Sequence, residues 1–154
     1  MSVHTVIDFD DVPRVPRPEL PDAWLVRDVE ATSGAGPVRA FAVTRAEREG
    51  EAVRLELSRA VHGRWRGDYP VGARDIVLDV LGMGLSGSAS AAVRATADEL
   101  IRLDPACRRI LAPCPVSDLV RMAMLEEAGF AFVTEVDTDE GTYGLLLRMA
   151  DHRP

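Results

Sequence analysis

The stretch from Arg74 to Gly129 constrains the fold more than any other part of the chain. A β-branched and leucine run at 74–81 passes at once into Gly82-Met83-Gly84-Leu85-Ser86-Gly87-Ser88. The run has the length of a strand. The glycines permit positive φ and leave no Cβ to block another group from the backbone. Ser88 or Ser90 then caps a helix over 91–103, which Asp104-Pro105 ends. A second short strand is predicted at 108–112. Asp118 caps a second helix to Ala128, with Gly129 at its C′ position and Phe130 after it. A glycine loop that feeds a helix N-terminus offers unpaired N–H groups and the positive end of a dipole, which suits a phosphate or pyrophosphate.

Other strand–loop–helix units compete for this pattern. A P-loop needs Gly-Lys-Ser/Thr after the loop, which is absent. A dinucleotide fold needs GxGxxG in register and an acid at a strand tip. Here the acid about twenty positions after the loop, Asp104, lies at a helix end beside Pro105. A purely structural turn is the remaining alternative.

The ordered set of motifs resembles the acyl-CoA-binding core of the GNAT N-acyltransferase superfamily. Gly84-Leu85-Ser86-Gly87-Ser88-Ala89 stands for its loop, and Glu126-Glu127-Ala128-Gly129-Phe130 for its helix end. Within the superfamily the chain is most similar to the siderophore-type lysine N-acyltransferases. The carrying residues are Glu56-Leu57-Ser58-Arg59, Asp68-Tyr69-Pro70, Asp75 to Asp79 and Arg108-Arg109-Ile110. The resemblance covers residues 51–149. It implies an α+β (α/β) fold: a mixed, mostly antiparallel central sheet of six or seven strands flanked by helices, with a βαβα core at 74–130.

Composition narrows the class further. A net charge of −7 argues against nucleic-acid binding without a local basic patch. All 18 cationic residues are arginine, so a lysine nucleophile or Schiff base is excluded. Cys107 and Cys114 read as buried free thiols rather than a disulfide framework. His4, His62 and His152 have no ligand spacing, so no metal is expected. There is no apolar run of spanning length and no charged-then-apolar leader, so a cytoplasmic protein with no membrane partner is expected.

The flanks complete the organisation. Pro13, Pro16, Pro18 and Pro21 make 1–22 an extended arm, lying on the surface or along a partner. A domain at 23–150 follows, then a tail at 151–154. Strands are expected at 23–30, 38–45 and 52–59, forming an antiparallel meander. Residues 130–136 and 142–149 form a terminal hairpin about the turn 137–141.

The resemblance implies an acyl-CoA-dependent N-acyltransferase, with acetyl-CoA or another acyl-CoA as cosubstrate. Its acceptor would be a small-molecule amine or hydroxylamine, in siderophore or secondary-metabolite biosynthesis. An acyl carrier protein is a further candidate partner, and a homodimer a candidate assembly. Leu81, Gly82, Gly84, Gly87, Ser88 and Ala89 would hold the acyl-CoA. Relatives carry a histidine in the strand before the loop; this chain has Asp79. They carry Asn at the start of the second helix and Tyr four residues before its glycine; this chain has Asp118 and Leu125. The catalytic candidates are therefore Asp79 or Glu56 as base and Tyr143 as acid. His62, Trp65 and Asp118 are the candidates for acceptor binding. The alternative is a GNAT-fold module that binds an acyl-CoA or acyl carrier without transfer, or does different chemistry in the same cleft. Asp79 shares a face with Val77 and Leu81, so its carboxylate is expected to be paired, wetted by a cleft, or raised in pKa.

Overall fold

The computed structural model describes residues 12–32, 38–47, 52–61, 69–83 and 89–150. Within them the strands are β1 (Trp24–Asp28), β2 (Arg39–Arg45), β3 (Val53–Arg59), β4 (Ile76–Gly82), β5 (Arg109–Pro115), β6 (Ala131–Thr138) and β7 (Gly141–Met149). The helices are α1 (Ala89–Leu103) and α2 (Leu119–Glu127). The strands form one seven-stranded sheet in the order β1-β2-β3-β4-β5-β7-β6. β4 and β5 are parallel; every other neighbouring pair is antiparallel. This is the mixed, mostly antiparallel sheet that the sequence predicts.

Strand alternation sorts the core into two layers. Leu55, Leu57, Ile76, Leu78, Ile110 and Leu146 face one side and pack with Ala92, Val93, Ala97 and Leu100 of α1 and Leu125 of α2. Val77, Leu111, Leu145 and Leu147 face the other, beside Ala60, Tyr69 and Val71. Both helices thus cover the same face. A strand–helix–strand crossover must cross a face, and the small apolar stripe of α1 fits this one.

The end of α2 follows from its sequence. Phe130 N–H donates to Leu125 C=O at 3.0 Å and Gly129 N–H to Glu126 C=O at 3.0 Å. Gly129 sits at φ +101°, so a Schellman motif closes the helix where only glycine is unstrained. Phe130 then drops into the core. Gly141, at φ +123°, supplies the positive φ that ends the β6–β7 turn.

The described part of the proline-rich arm lies against its own sheet. Val15 is buried in the core. Proline has no N–H to offer, so the arm is held by its carbonyls. Arg39 Nε donates to Val15 C=O at 2.5 Å, and Arg59 Nε to Pro13 C=O at 2.9 Å. Arg59 is only 1% exposed. Its Nη1 also donates to Arg74 C=O at 2.9 Å and lies 2.5 Å from Asp104 Oδ2. One guanidinium thus ties the arm, the approach to β4 and the end of α1 to β3.

Gly144 of β7 faces α2. A Cβ there would lie 2.9 Å from Met122 Cε and 3.1 Å from Phe132 Cε2. Met122 can swing aside for one methyl group; a branched chain would force Phe132 to shift as well. Gly144→Val is therefore expected to lose about 1–3 kcal/mol, read as a lower urea midpoint at unchanged slope. An unchanged midpoint would show that the layer is not close-packed there.

Candidate active site

The site is built on the parallel pair β4–β5. Their parallel register has two pairs, Ile76 with Ile110 and Val77 with Leu111, although both strands run on. Asp75 and Arg109 clamp the closed end. Arg109 Nε lies 2.7 Å from Asp75 Oδ2, and Gly72 N–H donates to the same oxygen at 2.7 Å. Arg109 also donates to Pro70 C=O at 2.6 Å and stacks over Tyr69 at 5.2 Å.

The reason that the ladder stops lies in β5. Its register with β7 is unbroken, and its ends are fixed by Ala150 N–H to Arg108 C=O at 2.8 Å and Val116 N–H to Thr142 C=O at 3.3 Å. Even-numbered residues of β5 therefore turn their backbone groups to β7, and odd-numbered ones to β4. Leu111 completes the last rung. The next would need an N–H from residue 113, and residue 113 is proline, as is residue 115. The ladder stops for want of a donor. This also explains why β5 extends beyond the predicted 108–112: prolines are tolerated on an edge that bonds nothing.

β4 provides the other wall. Ala60 N–H donates to Asp75 C=O at 2.9 Å, so odd-numbered residues of β4 bond β3 and even-numbered ones face β5. Val80 accordingly turns its N–H and C=O toward β5. One step on, Arg54 pairs with Gly82 and Leu55 with Val80, so Leu81 is an extra, bulged residue. Leu81 is 38% exposed.

The candidate side chains gather on the face without helices. Asp79 is half-buried and opposite Glu56 in the β3–β4 register. Glu56 is 2% exposed and accepts from Thr32, with the backbone N–H at 2.6 Å and Oγ1 at 3.0 Å. Its lone pairs are engaged by donors from the segment after β1, so Glu56 anchors that segment over the sheet. Tyr143 of β7 lies opposite Pro115. Burial raises the Tyr143 pKa, and the Glu140 carboxylate, which accepts from its hydroxyl at 3.3 Å, and the Asp79 charge raise it further. The phenol therefore stays protonated through neutral pH. Asp79, Glu56 and Tyr143 are thus brought to one face, with Asp79 beside the cleft.

Other candidates separate. Asp118 caps α2: its Oδ1 accepts from Arg121 N–H at 3.0 Å, and Oδ2 lies 3.3 Å from Arg121 Nε. Leu125 is fully buried in the core. Gly82 ends β4 and Ala89 begins α1, bracketing the glycine loop. Gly84, Gly87, Ser88, His62 and Trp65 lie outside the described residues. Burial, then the Asp104 charge, push the Cys107 thiol up to about 11, and burial raises Cys114. Neither is a thiolate at neutral pH. Among the described residues no cluster of His, Cys, Asp and Glu could hold a metal ion, and no helix is long and apolar enough to cross a membrane. Reading the sequence missed the Leu81 bulge and the role of Pro113. The proline pair spaced by two within a strand was the available signal.

No family model and no curated protein matches the chain. Solved structures do. Aminoglycoside acetyltransferase AAC(6')-Ib, in complex with coenzyme A and kanamycin, aligns with 73% of this chain and 66% of its own, at 19% identity and a TM-score of 0.60. An uncharacterized protein from Bacillus halodurans aligns with 73% of this chain and 58% of its own, at 14% identity and a TM-score of 0.61. A variant of spermidine N-acetyltransferase SpeG from Vibrio cholerae aligns with 77% and 67%, at 14% identity and a TM-score of 0.52. The chain spans just under two thirds of the length of the aminoglycoside enzyme. These likenesses define its fold as that of the GNAT N-acetyltransferases.

Proposed function

We propose that the protein is an acyl-CoA-dependent N-acyltransferase acting on a small amine. The observation that carries this reading is the parallel β4–β5 pair whose ladder stops at Pro113, with Asp79 and Val80 on the β4 side. The solved structures of this fold that hold coenzyme A and an amine substrate support it. The siderophore-type order of motifs supports a small amine or hydroxylamine of secondary metabolism as acceptor.

In this reading the acyl-CoA pyrophosphate meets the loop of Gly84, Gly87 and Ser88 before α1. The acyl arm enters the cleft between β4 and β5, past Leu81 and Gly82. The Val80 N–H donates to the thioester oxygen and stabilises charge that develops there. The amine nitrogen attacks the carbonyl carbon; a C–N bond forms and the C–S bond breaks. Asp79 takes the proton that the amine loses. The departing thiolate takes a proton from Tyr143, and the two side chains return to their starting states by exchange with solvent.

A second reading, a GNAT-fold module without transfer, draws on Leu125 and Asp118. The first is locked in the core and the second in a helix cap, where relatives place functional groups. One experiment separates the two. Calorimetric titration with acetyl-CoA, followed by release of free thiol across a panel of primary amines, is expected to show saturable binding and turnover. Saturable binding without thiol release from any amine would establish the module instead.

A further inference from the structure

We infer that the outer edge of β6 is a docking site for an extended, basic segment of a partner protein, which joins the sheet as a further antiparallel strand. Among the described residues no strand lies beyond β6 in the sheet order. Even-numbered residues of β7 bond β5, so its odd-numbered residues bond β6. Thr134 and Val136 are the register partners of Leu145 and Tyr143. Glu135 and Asp137 therefore turn their N–H and C=O groups outward. The Glu135 carbonyl accepts from the Thr134 hydroxyl at 3.3 Å, a long bond from its own neighbour. Antiparallel addition bonds such an edge somewhat better than parallel addition.

This edge carries apolar surface of the kind that a protected edge strand avoids. Phe132 and Val133 are each 46% exposed, and Leu119 and Val120, on the first turn of α2, are 72% and 71% exposed. Met122 joins the two sets. It shares a side of α2 with Leu119, and its Cε and the Phe132 ring approach the same point above Gly144. Apolar surface that continues from a helix flank onto an open strand edge marks an interaction site.

The charges beside it state the partner. Glu135 and Asp137 are the register partners of Gly144 and Thr142, so their side chains stand on the α2 side of the sheet, as Phe132 does. Both are exposed, and the Asp137 carboxylate accepts from Thr142 Oγ1 at 2.9 Å, which holds it on that face. Glu126 and Glu127, exposed at the end of α2, add the same sign. On an added strand, the residue directly opposite each acid stands on the same face and within reach of it. The segment that fits thus carries cations two residues apart, followed by an apolar side chain against Phe132. A second copy of this chain fits badly, because it sets the same acids against each other and carries a net charge of −7. The acids and the bulge at Val133 thus discourage self-pairing while the edge accepts the opposite charge.

The test titrates the whole protein, labelled with nitrogen-15, with the capped peptide Leu-Thr-Arg-Thr-Arg-Thr-Leu. The Glu135 and Asp137 amides are expected to shift saturably and to gain protection from hydrogen exchange. Affinity should fall at least about tenfold when glutamate replaces both arginines, and about fivefold or more when both arginines are N-methylated and cannot donate to the edge. Glu135→Arg, a change at an exposed position, should narrow or reverse the preference between the arginine and glutamate peptides. Unmoved Glu135 and Asp137 amides, equal affinity for the glutamate or the N-methylated peptide, or an unchanged preference in Glu135→Arg would overturn the inference. Protection of the same amides in the protein alone, rising with its concentration, would place a second copy on the edge and overturn it as well.

Discussion

Asp79→Asn is expected to reduce acyl transfer by about 10²- to 10⁴-fold, the usual contribution of a positioned general base. Coenzyme A affinity should be unchanged. The amide keeps the size and shape of the carboxylate and removes its ability to take a proton. Position, and not freedom from partners, favours Asp79 over the other acids. Glu56, its partner in the register, is buried and engaged by Thr32. Glu140 is engaged by the Tyr143 hydroxyl. Asp75 is held by Arg109 and the Gly72 N–H at the closed end of the cleft. Asp79 alone among these four sits on β4 immediately before Val80, whose N–H faces β5. Steady-state rates and calorimetry on one preparation check both halves. If turnover persists at the parental level, the proton leaves by another route and Asp79 is structural.

Arg59→Met is expected to be the most destabilising single change. Breaking a buried ion pair by removing one partner costs about 3–5 kcal/mol, because the other charge stays behind without compensation. Here that charge is Asp104, itself 7% exposed. The carbonyls of Pro13 and Arg74 lose a donor in the same step. For a chain of 154 residues the melting temperature should fall by about 6–20 °C, at about 2–4 °C for each kcal/mol. Arg59→Met combined with Asp104→Leu should recover part of the loss, because it removes the stranded charge as well. Scanning calorimetry of the three proteins decides it. A single variant that melts within about 2 °C of the parent would mean that the cluster contributes little net stability.

Much of this architecture is legible where local chemistry and tertiary structure agree. The Gly129-Phe130 stop could be read directly, since positive φ and an apolar C″ residue are local demands of a Schellman motif. The parallel β4–β5 pair was also legible, because a helix of the length of α1 between two short strands leaves few other connections. The extent of β5 was not. Proline argues against a strand when both edges must bond, and the sequence does not say that one edge is open. Glu56 was legible as a carboxylate on a strand, but its partner Thr32 comes from another segment, and no spacing rule links them. The same holds for Arg59, whose contacts with Pro13, Arg74 and Asp104 join three distant parts of the chain. A tertiary hydrogen bond leaves no periodicity in the sequence.

The two-rung contact between β4 and β5 also divides the sheet in folding. On one side, β1 to β4 are linked by antiparallel neighbours that follow one another in sequence; on the other, β6 and β7 form a hairpin. Each part can form by closing short loops. The seam between them brings Asp75 to Arg109 across 34 positions of chain, and α1 must be in place for it to close. Loop-closure entropy sets such a contact late, after the local pairings have formed. Once made, it holds few backbone bonds, so opening there disturbs less than opening anywhere else between neighbouring strands. The seam between β4 and β5 is thus the last part of the sheet to assemble and the first to loosen.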